Sequence, residues 1–310
     1  MDTPYLAFHT SYLLFDIYHI IFSMINLKTK LSLMSTCTYL QLNLDIDDLN
    51  HVGNQYMSKV TQQVLMQNKY RKLRTVNISD NLFITDIGFM KNLKILCAKG
   101  SCGLNQKSII GLDLIELYIT NNSDVNDVSF MKNLRILDAS GYNSGINQNA
   151  IMGLDLVEFY CYCNRKITDV SFMKNLKILD VGGDCGVDQN GIKGLTLIEF
   201  DCSDNETIID VSFMKKTLKI LGVGGYSSID QNSIKGLDII ELRCSDNPSI
   251  YDIKFMKNLR VLYACGDSGI DQNGIQGLDL IELHCGDNKK ISDVSFMENL
   301  KMFDDMTIMH

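Results

Sequence analysis

Positive charge is scarce in this chain. Lysine and arginine number 29 against 37 aspartates and glutamates, giving a net charge of −8 and a pI near 5.1. No basic patch and no basic run interleaved with aromatics appears, which argues against nucleic acid as a partner. No lysine or arginine precedes Lys28, so a secretory signal is not expected. Long hydrophobic runs are missing too. The apolar stretch from Tyr12 to Leu27 is too short to span a bilayer and carries Asp16 and His19, so no membrane segment is expected. Histidine is sparse: His9, His19, His51, His284 and His310 are scattered, and no Ser or Cys nucleophile has a histidine at a recognisable spacing. No catalytic set emerges, and no enzyme is expected. Gly182-Gly183 and Gly224-Gly225 are not followed by Gly-Lys-Ser/Thr, so they supply tight bends rather than a phosphate loop.

What is present is repetition. In Leu156–Met173, L-V-E-F-Y-C-Y-C-N-R-K-I-T-D-V-S-F-M, Leu156, Phe159 and Cys161 hold positions 1, 4 and 6, Asn164 position 9 and Ile167 position 12. Position 1 recurs at Leu73, Leu93, Leu114, Leu134, Leu156, Leu176, Leu197, Leu218, Ile239, Leu259, Leu280 and Leu300, in steps of 20 to 22 residues. The pattern LxxLxLxxNxxI resembles leucine-rich repeats, specifically the cysteine-containing subclass, with Asn in place of the usual Cys at position 9. The resemblance covers about three quarters of the chain and implies an α/β solenoid with a parallel concave sheet.

Two kinds of repeat alternate. One continues N-x-x-I-x-D-V-S-F-M-K-N, as in 164–175, and the other G-V-D-Q-N-G-I-K-G-L, as in 186–195. Phe89, Phe130, Phe172, Phe213, Phe255 and Phe296 mark the pair in steps of 41 or 42. An acidic residue precedes each outer turn, as at Asp169, Asp188, Asp210, Asp230, Asp252 and Asp271, where a carboxylate caps exposed N–H groups without implying catalysis.

The ten cysteines do not suggest a disulfide framework. Cys161, Cys202, Cys244 and Cys285 occupy the inward position 6 of every second repeat, so their strands lie about 9–10 Å apart. A disulfide needs Cα atoms within about 7 Å. A ladder of buried, reduced thiols is expected, in a reducing, cytoplasmic compartment. Cys161 and Cys163 point to opposite faces of a strand, which disfavours zinc. The Asp-Asn pairs at 204–205, 246–247 and 287–288 lack the six to eight converging oxygens calcium needs, so the asparagines are expected to satisfy backbone groups instead. No metal and no cofactor are implied.

Residues 8–50 predict helices, since Leu13, Ile17, Ile20, Ile21, Met24 and Ile25 follow helical spacing. The stretch 13–40 resembles an F-box, the helical module that docks on the Skp1-type linker of cullin ubiquitin ligases. Leu13, Asp16 and Ile17 match its opening, with Leu14 in place of the proline. Ile21-Phe22 and Ile25 match its next segment, and Leu31, Leu33 and Cys37 its second helix. The resemblance implies that Leu13, Ile17, Ile21, Ile25 and Leu31 contact that linker. Residues 51–70 predict a connecting helix, and 71–310 the solenoid of about twelve repeats, the last truncated. The combination is similar to proteins of large DNA viruses of amoebae, which would place it in host cytoplasm.

Positions 3 and 5 of each strand face the concave side, where solenoids usually bind. Position 3 holds Glu116, Glu158, Glu199, Glu241 and Glu282 in one kind of repeat and Ile95, Ile136, Ile178, Ile220 and Val261 in the other. Position 5 varies: Asn77, Tyr118, Tyr160, Asp201, Arg243 and His284. A protein target is expected on Tyr118, Tyr160, Asp201, Arg243, His284, Glu158, Glu199 and Glu241. Lys94, Arg135, Lys177, Lys219 and Arg260 at position 2 are expected to neutralise the glutamate column. Together these features imply a substrate-recruiting ligase adaptor. The alternative is a repeat-only interaction scaffold or inhibitor whose N-terminal helices simply cap the solenoid.

Overall fold

The computed structural model describes residues 59–67, 70 and 72–304, in two compact units that divide between Leu117 and Tyr118. The F-box-like stretch, including Leu13, Ile17, Ile21, Ile25, Leu31 and Cys37, lies outside the described residues, as does Asp305. In the first unit, β1 (Thr75–Asn77) pairs in parallel with β2 (Ile95–Cys97). The strand β3 (Glu116–Tyr118) falls at the division. The second unit holds β4 (Ile136–Asp138), β5 (Glu158–Tyr160), β6 (Ile178–Asp180), β7 (Glu199–Asp201), β8 (Ile220–Gly222), β9 (Glu241–Arg243), β10 (Val261–Tyr263), β11 (Glu282–His284) and β12 (Met302–Asp304). Each pairs in parallel with the next in chain order. The described strands of both units belong to solenoid turns of the leucine-rich-repeat type.

Side-chain alternation explains the strands. The central residue, Phe159 or Leu179 for instance, has no exposed surface, and its neighbours at positions 3 and 5 are half-buried. Position 1 is likewise fully buried from Leu73 to Leu280. Glu158 faces away from the core while Leu156, Phe159 and Cys161 fill it, as the register predicts. The position 2 carbonyl clamps successive turns: that of Lys177 accepts from the N–H of Ile198 at 2.8 Å and of Glu199 at 3.1 Å.

The asparagines at position 9 satisfy loop backbone, as expected. Asn205, buried, donates to the carbonyls of Val181 (2.8 Å) and Val187 (3.2 Å), and its own oxygen accepts from the N–H of Thr207 (2.9 Å). Asn164, Asn247 and Asn288 repeat the arrangement. The residue before each asparagine takes a left-handed conformation, from Asp80 (φ 56°) to Asp287 (φ 62°), with Cys163 (φ 56°) among them. Side-chain oxygens here receive an N–H from the following turn: Asp204 from Tyr226 and Asp246 from Asp267. Gly225 and Gly266 stand at those contacts with φ near 60°, and an added Cβ would strike the carboxylate.

The opposite side is built from turns rather than long helices. Among the described residues only α1 (Gln62–Leu65), α2 (Gln106–Ile109) and α3 (Gln148–Ile151) are α-helical, a single turn each, and Ser212–Met214 is a 3-10 turn. Asparagine side chains cap α2 and α3, Asn105 accepting from the Lys107 N–H and Asn147 from the Ala150 N–H, while carboxylates serve other outer turns: Asp210 accepts from the N–H of Ser212 at 2.8 Å and Asp188 from Asn190 and Gly191. A second device was missed in the sequence. The amide of Gln189 accepts from the N–H groups of Ile209 and Asp210 and donates to the Asp210 carbonyl. Gln148, Gln231 and Gln272 clamp the next turn in the same way. So does Gln62, on Thr85 and Asp86, while Asn81 donates to the Val60 carbonyl. Of the helix expected over 51–70, the described part is therefore built like the outer turn of a repeat.

Candidate interaction face

Positions 3 and 5 of consecutive strands lie side by side, because the parallel register is unbroken within the second unit. Glu158, Ile178, Glu199, Ile220, Glu241, Val261 and Glu282 form one row. Tyr160, Asp180, Asp201, Gly222, Arg243, Tyr263 and His284 form the next. Seven of the eight expected target-binding residues, Tyr160, Asp201, Arg243, His284, Glu158, Glu199 and Glu241, are half-buried strand residues of these rows, and Tyr118 is a half-buried residue of β3.

Arg243 is the cation of the face. Its Nε donates to Glu241 at 2.7 Å, and its Nη1 lies 3.4 Å from Glu199 and 3.8 Å from Asp201. Gly222 stands between Asp201 and Arg243 in the register, and its missing side chain makes the approach possible: a Cβ there would collide with the Asp201 carboxylate. Toward the chain end, Tyr263 and His284 stack with ring centroids 4.3 Å apart and planes 2° from parallel. On the other flank the Tyr160 hydroxyl donates to Glu158 at 3.0 Å. Burial and that bond push the Tyr160 hydroxyl pKa well above its ordinary value.

The acidic members crowd one another. Thr120 donates to Asp138 at 2.6 Å, and Asp180 accepts from the Gly182 N–H at 2.9 Å. Burial raises the Asp180 carboxyl to about 7, against the pull of the Gly182 bond, with the Asp201 and Asp138 charges adding to the rise. Asp138 and Asp180 extend the expected face, at position 5 of the isoleucine-bearing kind of repeat.

The expected neutralisation of the glutamates is corrected by the structure. Lys94 pairs with Asp113 (2.6 Å) and Arg135 with Asp155 (3.3 Å). Lys219 and Arg260 bond the Asp238 and Asp279 carbonyls at 3.0 Å, their carboxylates lying 3.9 and 4.0 Å away. The reason is that position 2 precedes the strand, so its side chain runs along the stack to the loop before the next strand. Opposite Lys177 that place is held by Thr196, which has no carboxylate. Arg243, expected as a target-binding residue, does the neutralising at Glu199 and Glu241 instead. Among the described residues no group of His, Cys, Asp and Glu could hold a metal ion, and no helix is long and apolar enough to cross a membrane.

Comparison with known proteins supports the fold and goes no further. No family model matches the chain, and no curated protein does. Among solved structures, the Rad7 and Elc1 complex of yeast is similar with a TM-score of 0.51 at 12% identity, covering 97% of this chain and 93% of that one. An internalin, InlF, of Listeria monocytogenes gives 0.39 at 14% identity over 80% of this chain and 92% of its own. A leucine-rich-repeat protein of Leptospira interrogans gives 0.34 at 12% over 90% and 98%.

Proposed function

We propose that this chain is a non-enzymatic interaction scaffold, holding a protein target on the sheet face centred on Arg243. The observation that carries it is the contrast between the two rows. Position 3 repeats monotonously, whereas position 5 runs through Tyr, Asp, Gly, Arg, Tyr and His on the same rigid frame. A frame needs regularity, and a binding surface needs variety. We further propose that residues 13–40 dock on a Skp1-type linker through Leu13, Ile17, Ile21, Ile25 and Leu31. The chain would then be a substrate-recruiting adaptor of a cullin-type ubiquitin ligase. The F-box-like spacing from Leu13 to Cys37 supports this. The yeast neighbour, too, was crystallised as a complex of two proteins. A repeat-only scaffold is the second reading, favoured by Leu14 in place of the family's proline.

The test is co-purification with Skp1 alongside a circular dichroism melt. Wild type is expected to bind. Ile17→Asp is expected to abolish binding, since docking would bury an unpaired carboxylate, while the melt of the repeats stays unchanged. Failure of the wild-type chain to bind replaces the adaptor by the scaffold. Loss of the whole melting transition in Ile17→Asp makes Ile17 a cap residue.

A further inference from the structure

The core thiols are not equivalent. Three of the inward cysteines at position 6 of the glutamate-bearing repeats each meet one side chain from the turn that follows. For Cys202 it is Ser227, with sulfur and oxygen 4.0 Å apart, and for Cys244 it is Ser268 at 3.9 Å. For Cys161 it is Cys185, and the two sulfurs are 3.5 Å apart. Ser227 and Ser268 accept from the N–H groups of Ile229 and Ile270. Cys185 holds the equivalent place in its own turn, where the Val187 and Gly186 N–H groups help to lower its thiol pKa. A turn made to present N–H groups to an acceptor therefore holds a thiol, and a second thiol faces that one across the core.

The two sulfurs have opposite characters. The Cys161 contact and the two backbone N–H groups hold the Cys185 thiol below its usual range, against the opposing effect of burial. Burial pushes Cys161 well above it. Thiol–disulfide exchange works with such a division, one sulfur ionising readily and the other following. Access is graded in the same order: Cys161 is fully enclosed, whereas Cys185 keeps 8% of its surface at the edge. The edge beside it is ordered, since the adjoining Asp184 accepts from Arg165 at 2.7 Å and from the Tyr142 hydroxyl at 3.1 Å.

We propose that Cys161 and Cys185 form a covalent modification site, closing to a reversible intrachain disulfide when the protein meets a low-molecular-weight disulfide such as oxidised glutathione. The Cys185 thiolate attacks one sulfur of the small disulfide. The S–S bond of the reagent breaks, one thiolate leaves, and a mixed disulfide remains on Cys185. Cys161 passes its proton to the departing thiolate or to water and attacks the Cys185 sulfur, expelling the second thiolate. Two electrons and two protons leave the protein pair, and the reagent is reduced to two thiols. Closure shortens the sulfur separation from 3.5 Å to about 2.05 Å, a movement two side chains can share. Cys202 and Cys244, facing hydroxyls, have no such partner.

The repeats themselves supply the control variants. Serine is native to the Cys185 place at Ser227 and Ser268, and alanine to position 6 at Ala98, Ala139 and Ala264. The full chain is incubated natively with oxidised glutathione, quenched in acid, alkylated in denaturant and peptide-mapped by mass spectrometry. The expected product is a Cys161–Cys185 cross-link, with both alkylations lost, reversed by dithiothreitol. Cys202, Cys244 and Cys285 should remain fully alkylated. Cys185→Ser and Cys161→Ala should each abolish the cross-link without changing the reduced protein's melt, and the oxidised wild type should melt higher. No cross-link in native wild type, a bond to Cys163 instead, a mixed disulfide that never closes, or equal oxidation of Cys202 would each overturn the proposal.

Discussion

At the scale of single residues, buried polar groups set the strictest demands. Asn247 donates to two buried carbonyls, of Val223 and Ile229, and accepts from the partly buried Ser249 N–H. Asn247→Ala strands these groups at about 1–3 kcal/mol each, some of which relaxation recovers. The expected loss is about 2–4 kcal/mol, to be measured by urea unfolding; a loss below ~1 kcal/mol would contradict it. Asp180 behaves in the opposite sense. Its folded-state carboxyl near 7 lies above the ordinary value of 3.8, so the folded chain holds that proton more tightly than the unfolded chain does. Its contribution is most favourable below pH 4 and is lost as pH rises through 7. Asp180→Asn keeps an acceptor for Gly182 and removes the charge. It should stabilise by about 2 kcal/mol at pH 8 and by almost nothing at pH 4, a difference that thermal melts at the two pH values would reveal. The asparagine column was legible because a polar residue at fixed spacing inside an apolar pattern must bond backbone. Asp180 was not, because its state depends on which residues flank it across strands.

At the scale of the element, a strand of three residues is held by its neighbours rather than by its own propensity. Leu179 at the centre of β6 is fully buried beneath Ile178 and Asp180. Leu179→Ala is expected to cost roughly 2–5 kcal/mol in chemical denaturation, as a core truncation leaving a cavity. The strands and their register were legible from the spacing of Leu156, Phe159 and Cys161. The outer turns were half legible: the capping aspartates follow from local geometry, but the glutamine clamp acts on a turn about 20 residues away, as from Gln189 to Asp210. The lysines at position 2 mislead for the same reason. Nothing in a linear pattern tells whether Lys94 turns toward Glu116 or follows the stack to Asp113. Gln189→Ala should cost about 1–2 kcal/mol by uncovering two N–H groups and one carbonyl. Faster hydrogen exchange at Ile209 and Asp210 would locate the loss, and unchanged exchange there would refute the clamp.

At the scale of the molecule, the recurring unit is the pair of repeats, 41 or 42 residues long. Its period was legible because every turn must place Leu, Leu/Phe and a small apolar residue inward. The residues of the face follow no such rule, because position 5 is free of that demand. The pair also has a genetic consequence. Every second junction in the second unit reuses one set of contacts, asparagine to the carbonyls behind it and glutamine to the backbone ahead. A tandem copying error of one whole pair in the gene would insert two strands and lengthen the face by about 9–10 Å. No new joint would have to be invented, since the copied ends match the places they enter. Copy number is then a heritable ruler, and a lineage can change the reach of this surface before it changes a single side chain on it.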